Sequence, residues 1–233
     1  FLISVLLGLA MGSGTVFSLH YGAGNHVALR HSIFSSFVLI GIVTLILNVA
    51  VFIWLDPILR LLQVPQDIYG MMRSYLWIIF CGIVFTFIYN FYASLLRAVG
   101  DSVTPLWFLA VSVVLNIALD LFFILQLDWG IQGAAAATVL AQGVAALGII
   151  IYTYRRRPEL RWHHEDMCFD RTCLKEIASF STLTCVQQSV MNLGILMVQG
   201  LVNSFGTAVM AAFAAAVKID SFAYMPVSYT HLR

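Results

Sequence analysis

Charge is what this sequence has least of: Asp, Glu, Lys and Arg make up 10% of its 233 residues, against 61% hydrophobic. Soluble domains carry about 25% charged residues, so a water-exposed globule is excluded. The charges nearly cancel, at a net +1, and the one basic run, 154–175, is interspersed with Glu159, Glu165, Asp166 and Asp170. That mixture argues against a nucleic-acid face and suits a loop lying beside anionic lipid. Period-two alternation is missing from the apolar runs, which excludes a β-barrel. Catalytic signatures are missing too: the sequence has no G-x-S-x-G, no H-E-x-x-H and no His inside an apolar run, so an embedded acyltransferase or protease lacks its nucleophile, base or metal ligands. Cysteine is sparse. Cys81 and Cys185 fall in apolar runs and Cys168 and Cys173 in the polar loop, which is no disulfide framework. The grouping of His163, His164, Cys168 and Cys173 fits none of the common zinc spacings. No resident cofactor, no enzyme activity and no obligate protein partner is implied.

What the sequence has in abundance is long apolar runs, at 1–19, 33–55, 75–96, 105–127, 131–154, 177–205 and 209–225, with a mean hydropathy of +0.93. Crossing a bilayer takes about 20 apolar residues as a helix, and lipid leaves no water for unpaired backbone groups. The expected fold is all-α, a polytopic transmembrane helical bundle. Alternate connections hold Arg30, Arg97, Arg155, Arg156, Arg157, Arg161, Arg171 and Lys175, while the opposite ones hold only Arg60 and Arg73. The positive-inside rule therefore places the 155–176 loop in the cytoplasm; the expected location is the plasma membrane.

That loop is the one plausible divide. Residues 1–154 read as five helices of an N-terminal lobe whose first helix lies upstream, since Phe1 already stands inside an apolar run. Residues 155–176 are the inter-lobe loop and 177–226 the start of a C-terminal lobe. Residues 227–233, VSYTHLR, turn polar where a helix should still be crossing, and read as a non-native tail.

Asp120 is the only formal charge in the run 105–127. Ionisable groups inside spans are costly, face the protein interior, and mark ion paths or relays. Asn116 lies four residues earlier, one turn along the same face. After the break at Asp128, Trp129 and Gly130, the returning run places Thr138 about as far from the turn as Asp120. Asn116, Asp120 and Thr138 are thus expected to converge. The returning run, GIQGAAAATVLAQG, is rich in small residues and should pack against a neighbouring helix. Farther on, Gln188, Asn192 and Gln199 share one helical face, either as hydrogen-bonding glue between helices or as the lining of a substrate cavity. Met191 and Met197, with Tyr89 and Phe85, offer a pliable aromatic wall for bulky cations. Lys218 and Asp220 form a charged pair in the last run.

With GLAMGSGTVFSLHYGAG at 8–24, LLRAVGDSVTPL at 95–106, LNIALD at 115–120 and GIQGAAAATVLAQ at 130–142, the chain resembles the multidrug and toxic compound extrusion (MATE) transporters over 6–226. The resemblance implies twelve helices in two six-helix lobes, of which this chain would hold helices two to seven and part of the eighth. It also implies that Asn116, Asp120 and Thr138 help form a cation site for a proton or a sodium ion. Another acid of that site belongs to the family's first helix. Where some members place a Glu on helix seven, this sequence has Gln187 and Gln188, neither of which titrates.

Burial favours the neutral form of a carboxyl group and a nearby cation favours the charged form, so proton, sodium and cationic drug compete for one negative site. The expected function is a proton- or sodium-coupled antiporter that exports amphipathic, often cationic, organic molecules by alternating access. The alternative is a flippase or exporter of lipid-linked sugar precursors, which would show a more cationic cavity than the inner halves of these runs offer beyond Lys218.

Overall fold

A computed structural model describes residues 2–61, 66–160, 171–203, 212–213 and 215–217, with no strand among them. The helices are α1 (Leu2–Gly22), α2 (His26–Leu61), α3 (Gln66–Cys81), α4 (Ile83–Ala98), α5 (Val103–Leu125), α6 (Gly130–Arg156) and α7 (Arg171–Asn203), with a 3₁₀ turn at Pro158–Leu160. Helices α1, α2, α5 and α6 are each long and apolar enough to cross a bilayer, and α3 with α4 makes a fifth span bent by 41°. The tail 227–233, Lys218, Asp220 and most of the run 209–225 lie outside the described residues.

Three boundaries differ from the sequence expectation. The run read at 33–55 is longer as a helix, because α2 starts at His26 and continues through Pro57 to Leu61. The single span read at 75–96 starts earlier, at Gln66, and is divided at Gly82. Helix α7 begins at Arg171, within the stretch read as loop.

Helix α6 is central, packed by α5, α4 and α3. Its buried positions include Gly133, Ala135, Ala137, Ala141, Gly143, Ala145 and Ala146, so neighbouring backbones come close, as small residues in membrane helices allow. Beside it an aromatic cluster joins α1, α2 and α4. Phe91 meets Phe17 edge-on at 5.9 Å and Phe37 at 5.2 Å, and both Phe17 and Phe91 are fully buried.

Two connections set the helices that matter most here. After α4, Gly100 adopts φ +87°, Asp101 N donates to Leu96 O at 2.9 Å and Gly100 N to Arg97 O at 3.0 Å. This pair of bonds closes the helix with a left-handed residue that glycine adopts without steric cost. Asp101 then starts α5, its Oδ1 accepting Thr104 N at 3.1 Å and its Oδ2 Thr104 Oγ1 at 2.8 Å. Tyr152 Oη donates to the same Oδ2 at 3.4 Å, and Arg157 lies 3.8 Å from it. One carboxylate thus caps α5 and ties the α4–α5 turn to the end of α6. Asp101→Ala is expected to cost about 1–2 kcal/mol, the range for a lost cap with charged partners, and Asp101→Asn, which keeps an acceptor, about half as much. Thermal unfolding in detergent checks both; equal effects would mean that the charge carries the whole contribution and the retained acceptor adds nothing.

Between α5 and α6 the chain turns at Asp128, whose φ of 52° is left-handed, a conformation Asp tolerates better than most residues. Trp129 stacks on Phe123 at 5.3 Å and its N–H donates to Phe123 O at 3.1 Å. This tight turn lays α6 back along α5 with a fixed register.

Candidate functional site

That register decides which side chains of α5 meet α6. Ser112, Asn116 and Asp120 recur every four residues on α5, and so lie on one face. Asn116 Nδ2 donates to Thr138 Oγ1 at 3.2 Å, and Thr138 Oγ1 donates its own proton to Ala134 O at 3.0 Å. The amide nitrogen of Asn116 is therefore turned to Thr138, which leaves its oxygen as an acceptor. Asp120 Oδ1 is buried and has no hydrogen-bond partner. An unpaired buried carboxylate oxygen is expensive.

These groups, carboxylate, amide oxygen and hydroxyl, are hard oxygen donors, and they have more acceptor capacity than hydrogens to fill it. What complements such a set is a proton or a small hard cation such as sodium. The structure brings Asn116 and Thr138 into contact and leaves Asp120 one turn away on the same helix with an open oxygen.

The residues expected to line a substrate cavity have the following surroundings. Asn192 Nδ2 donates to Gln188 O within α7 at 2.7 Å, and Gln188 Nε2 approaches Met11 Sδ of α1 at 3.7 Å. Met191 and Met197 are exposed. Gln199 lies on α7, its side chain outside what is described. Tyr89 Oη donates to Pro105 O at 2.8 Å and so ties α4 to the start of α5. Of the faint metal grouping, His163, His164 and Cys168 lie outside the described residues, and Cys173 is buried beside Val16 and Ile177. Among the described residues no cluster of His, Cys, Asp and Glu has the makings of a metal site.

Sequence reasoning missed a second polar contact one turn from the first. Thr86 Oγ1 of α4 donates to Gln142 Oε1 of α6, and Asn90 Nδ2 donates to Thr86 O at 2.8 Å. Gln142 follows Thr138 by four residues, a spacing that was available as a signal. Its partner was not, because nothing local reports the rotation of α4.

The fold is that of a helical membrane protein, with a polar contact between two of its candidate spans. The family model described as MatE matches residues 1–122. The "Probable multidrug resistance protein YpnP" of Bacillus subtilis is 32% identical over 231 residues, 96% of this chain and 50% of the relative. The "Probable multidrug resistance protein NorM" of Thermotoga maritima is 27% identical, over 95% of this chain and 48% of that protein. Among solved structures, the MATE transporter VcmN of Vibrio cholerae in its bent form superposes with a TM-score of 0.84 at 26% identity, covering 98% of this chain and 52% of that one. A crystal structure of MATE in complex with MaL6 gives a TM-score of 0.91 at 21% identity, over 99% and 52%, a likeness of fold. The chain belongs to the MATE family of multidrug efflux transporters. Its relatives are transporters and not enzymes, and the chain spans about half the length of those it matches.

Proposed function

We infer that the chain carries the ion-coupling half of an antiporter that exports amphipathic, often cationic, drugs or toxic metabolites across the plasma membrane, with residues 155–176 in the cytoplasm. The coupling ion, proton or sodium, is taken at Asp120, Asn116 and Thr138. A single observation carries this reading: a buried carboxylate oxygen without a partner stands on the face of α5 whose Asn116 is already hydrogen-bonded to Thr138. When the site is neutralised by the ion, the attraction of this carboxylate for a cationic drug is lost, and the drug leaves. When the ion leaves, charge returns and the drug binds again. Competition for one negative charge is enough to make the two fluxes opposite, provided the protein exposes the site to one side at a time.

The test is full-length protein in proteoliposomes loaded with an ethidium-like cation, with either a sodium or a proton gradient imposed. Export should accelerate under one gradient and return to the leak rate when that gradient is collapsed. Export indifferent to both gradients would sink the antiporter reading and leave a passive pathway. Thr138→Ala removes the hydroxyl that orients Asn116, and is expected to raise the cation concentration for half-maximal export about 10-fold, as loss of an orienting partner does in other ion sites.

A further inference from the structure

A helix that crosses a bilayer breaks only where its freed backbone groups find other partners. The α3–α4 span breaks at Gly82 with a bend of 41°, and the surrounding sequence, FCGIVF, contains no proline to cause it. The helical ladder persists at Gly82 itself, with three-residue bonds beside it, and one carbonyl next to the break takes a partner from another helix. Gly82 N is shared between Ile78 O at 3.2 Å and Ile79 O at 3.0 Å, while Gly82 O accepts Phe85 N at 3.0 Å and Thr86 N at 3.3 Å. The carbonyl of Phe80 accepts Asn48 Nδ2, from α2, at 2.7 Å.

What occupies the break is α6. A Cβ added to Gly82 would fall on Val139 Cγ2, with Val139 Cγ1 at 3.0 Å and Cβ at 3.1 Å. A β-branched side chain has little rotamer freedom with which to retreat, and its Cβ cannot retreat without its backbone. Val139 adjoins Thr138, the residue that holds Asn116. One turn along α6, Gln142 accepts from Thr86, the residue whose N–H closes the first turn after the break. Helix α6 is thus seated against the joint itself, through Val139, and against the turn beyond it, through Gln142, and Thr138 directly precedes the first of those seats.

We propose that Gly82 is a positioning residue for Thr138. The bend of the α3–α4 span and the place of the Thr138 hydroxyl are set by one contact, so that cation at the site and the angle of the joint govern each other. Asn48 holds the joint open by satisfying the carbonyl that a straight helix would have used. The inference rests on the reading of Asn116, Asp120 and Thr138 as the coupling site.

The experiment compares Gly82→Ala, Val139→Ala, the double variant and Asp120→Asn as full-length proteins in proteoliposomes. Each is assayed for the cation concentration giving half-maximal export, for the rate at saturating cation, and for the amount of protein in the membrane. Gly82→Ala should raise the half-maximal cation concentration about 10-fold and leave the saturated rate within about twofold. The double variant, in which only the Val139 Cβ remains to be accommodated, should return that concentration to within about threefold of wild type. A wild-type cation response in Gly82→Ala, or a double variant no better than the single one, overturns the proposal. If Gly82→Ala does not accumulate, recovery of both protein and cation response in the double variant supports the joint, and its failure to recover overturns it. Asp120→Asn separates the two readings: if it keeps gradient-driven export, the coupling site itself is wrong, whereas its loss beside an unaffected Gly82→Ala removes only the joint.

Discussion

Asp120→Asn is expected to abolish gradient-driven export while leaving the protein inserted and folded. The substitution keeps size and shape and removes one property, the capacity to carry and surrender a negative charge. Because Asp120 Oδ1 makes no hydrogen bond, the exchange breaks no bond there that the fold relies on. Losing a charge-assisted contact in a site shielded from water is worth about 1.5–3 kcal/mol, or on the order of a hundredfold in cation affinity. Proton coupling fails more completely, because an amide does not titrate at all. The measurement is dye efflux under imposed sodium and proton gradients, beside detergent-extracted protein and its melting temperature. Export that still follows a gradient in Asp120→Asn would remove this residue from the mechanism, and a protein that no longer inserts would give it a structural role instead. Asp120→Glu, which keeps the charge but moves it by a methylene, should retain coupling at a weakened cation affinity. That contrast isolates charge from volume.

Much of the fold was legible because hydrophobic run length is a local property. The runs at 105–127 and 131–154 correspond closely to α5 and α6, and the turn between them holds Asp128 and Gly130, both with left-handed backbone. Counting outward from that turn set Asp120 level with Thr138, whereas the Thr138 hydroxyl meets Asn116, one turn earlier on α5, because the crossing of the two helices is not written in either of them. The break at Gly82 was not legible. A lone glycine in an apolar run is ordinarily tolerated in a helix, and what makes this one a joint is Val139 and Asn48, both distant in sequence. The polar stripe on α7 illustrates a second limit. Periodicity places Gln188 and Asn192 on one face, but it does not reveal that the Asn192 amide is spent on the helix's own backbone. Pro57 shows a third, since a residue that usually ends helices is carried within α2.

Gly12→Val is expected to part α1 from α7, because that seam has no room for a side chain. Gly8 and Gly12 lie one turn apart on α1 and face Cys185 and Ser181, one turn apart on α7. A Cβ on Gly12 would fall on Ser181 Cα, with Ser181 N at 2.7 Å and Phe180 O at 2.8 Å. These are backbone atoms, which no rotamer change moves aside. The close approach also carries hydrogen bonds from Ser181 Oγ to Leu9 O at 3.3 Å and from Cys185 Sγ to Val5 O at 3.3 Å, and both lengthen if the helices separate. Farther along, Val16 packs on Cys173 and Ile177, and His20 Nε2 stands 3.7 Å from Glu176 Oε2. Overpacking a filled contact costs about 1–3 kcal/mol even where neighbours give way, and here the neighbour is main chain, so the upper end applies. A cysteine pair replacing His20 and Glu176 reports the seam directly, since the two side chains already meet. With Gly12 intact the pair should cross-link readily; with Gly12→Val the yield should fall by about tenfold or more, the equivalent of 1.4 kcal/mol of lost association. Gly12→Ala should fall between the two, because its single carbon still meets Ser181 but adds nothing beyond it. A cross-link yield indifferent to side-chain size at residue 12 would mean that α1 and α7 are held apart from one another by something other than the width of a glycine.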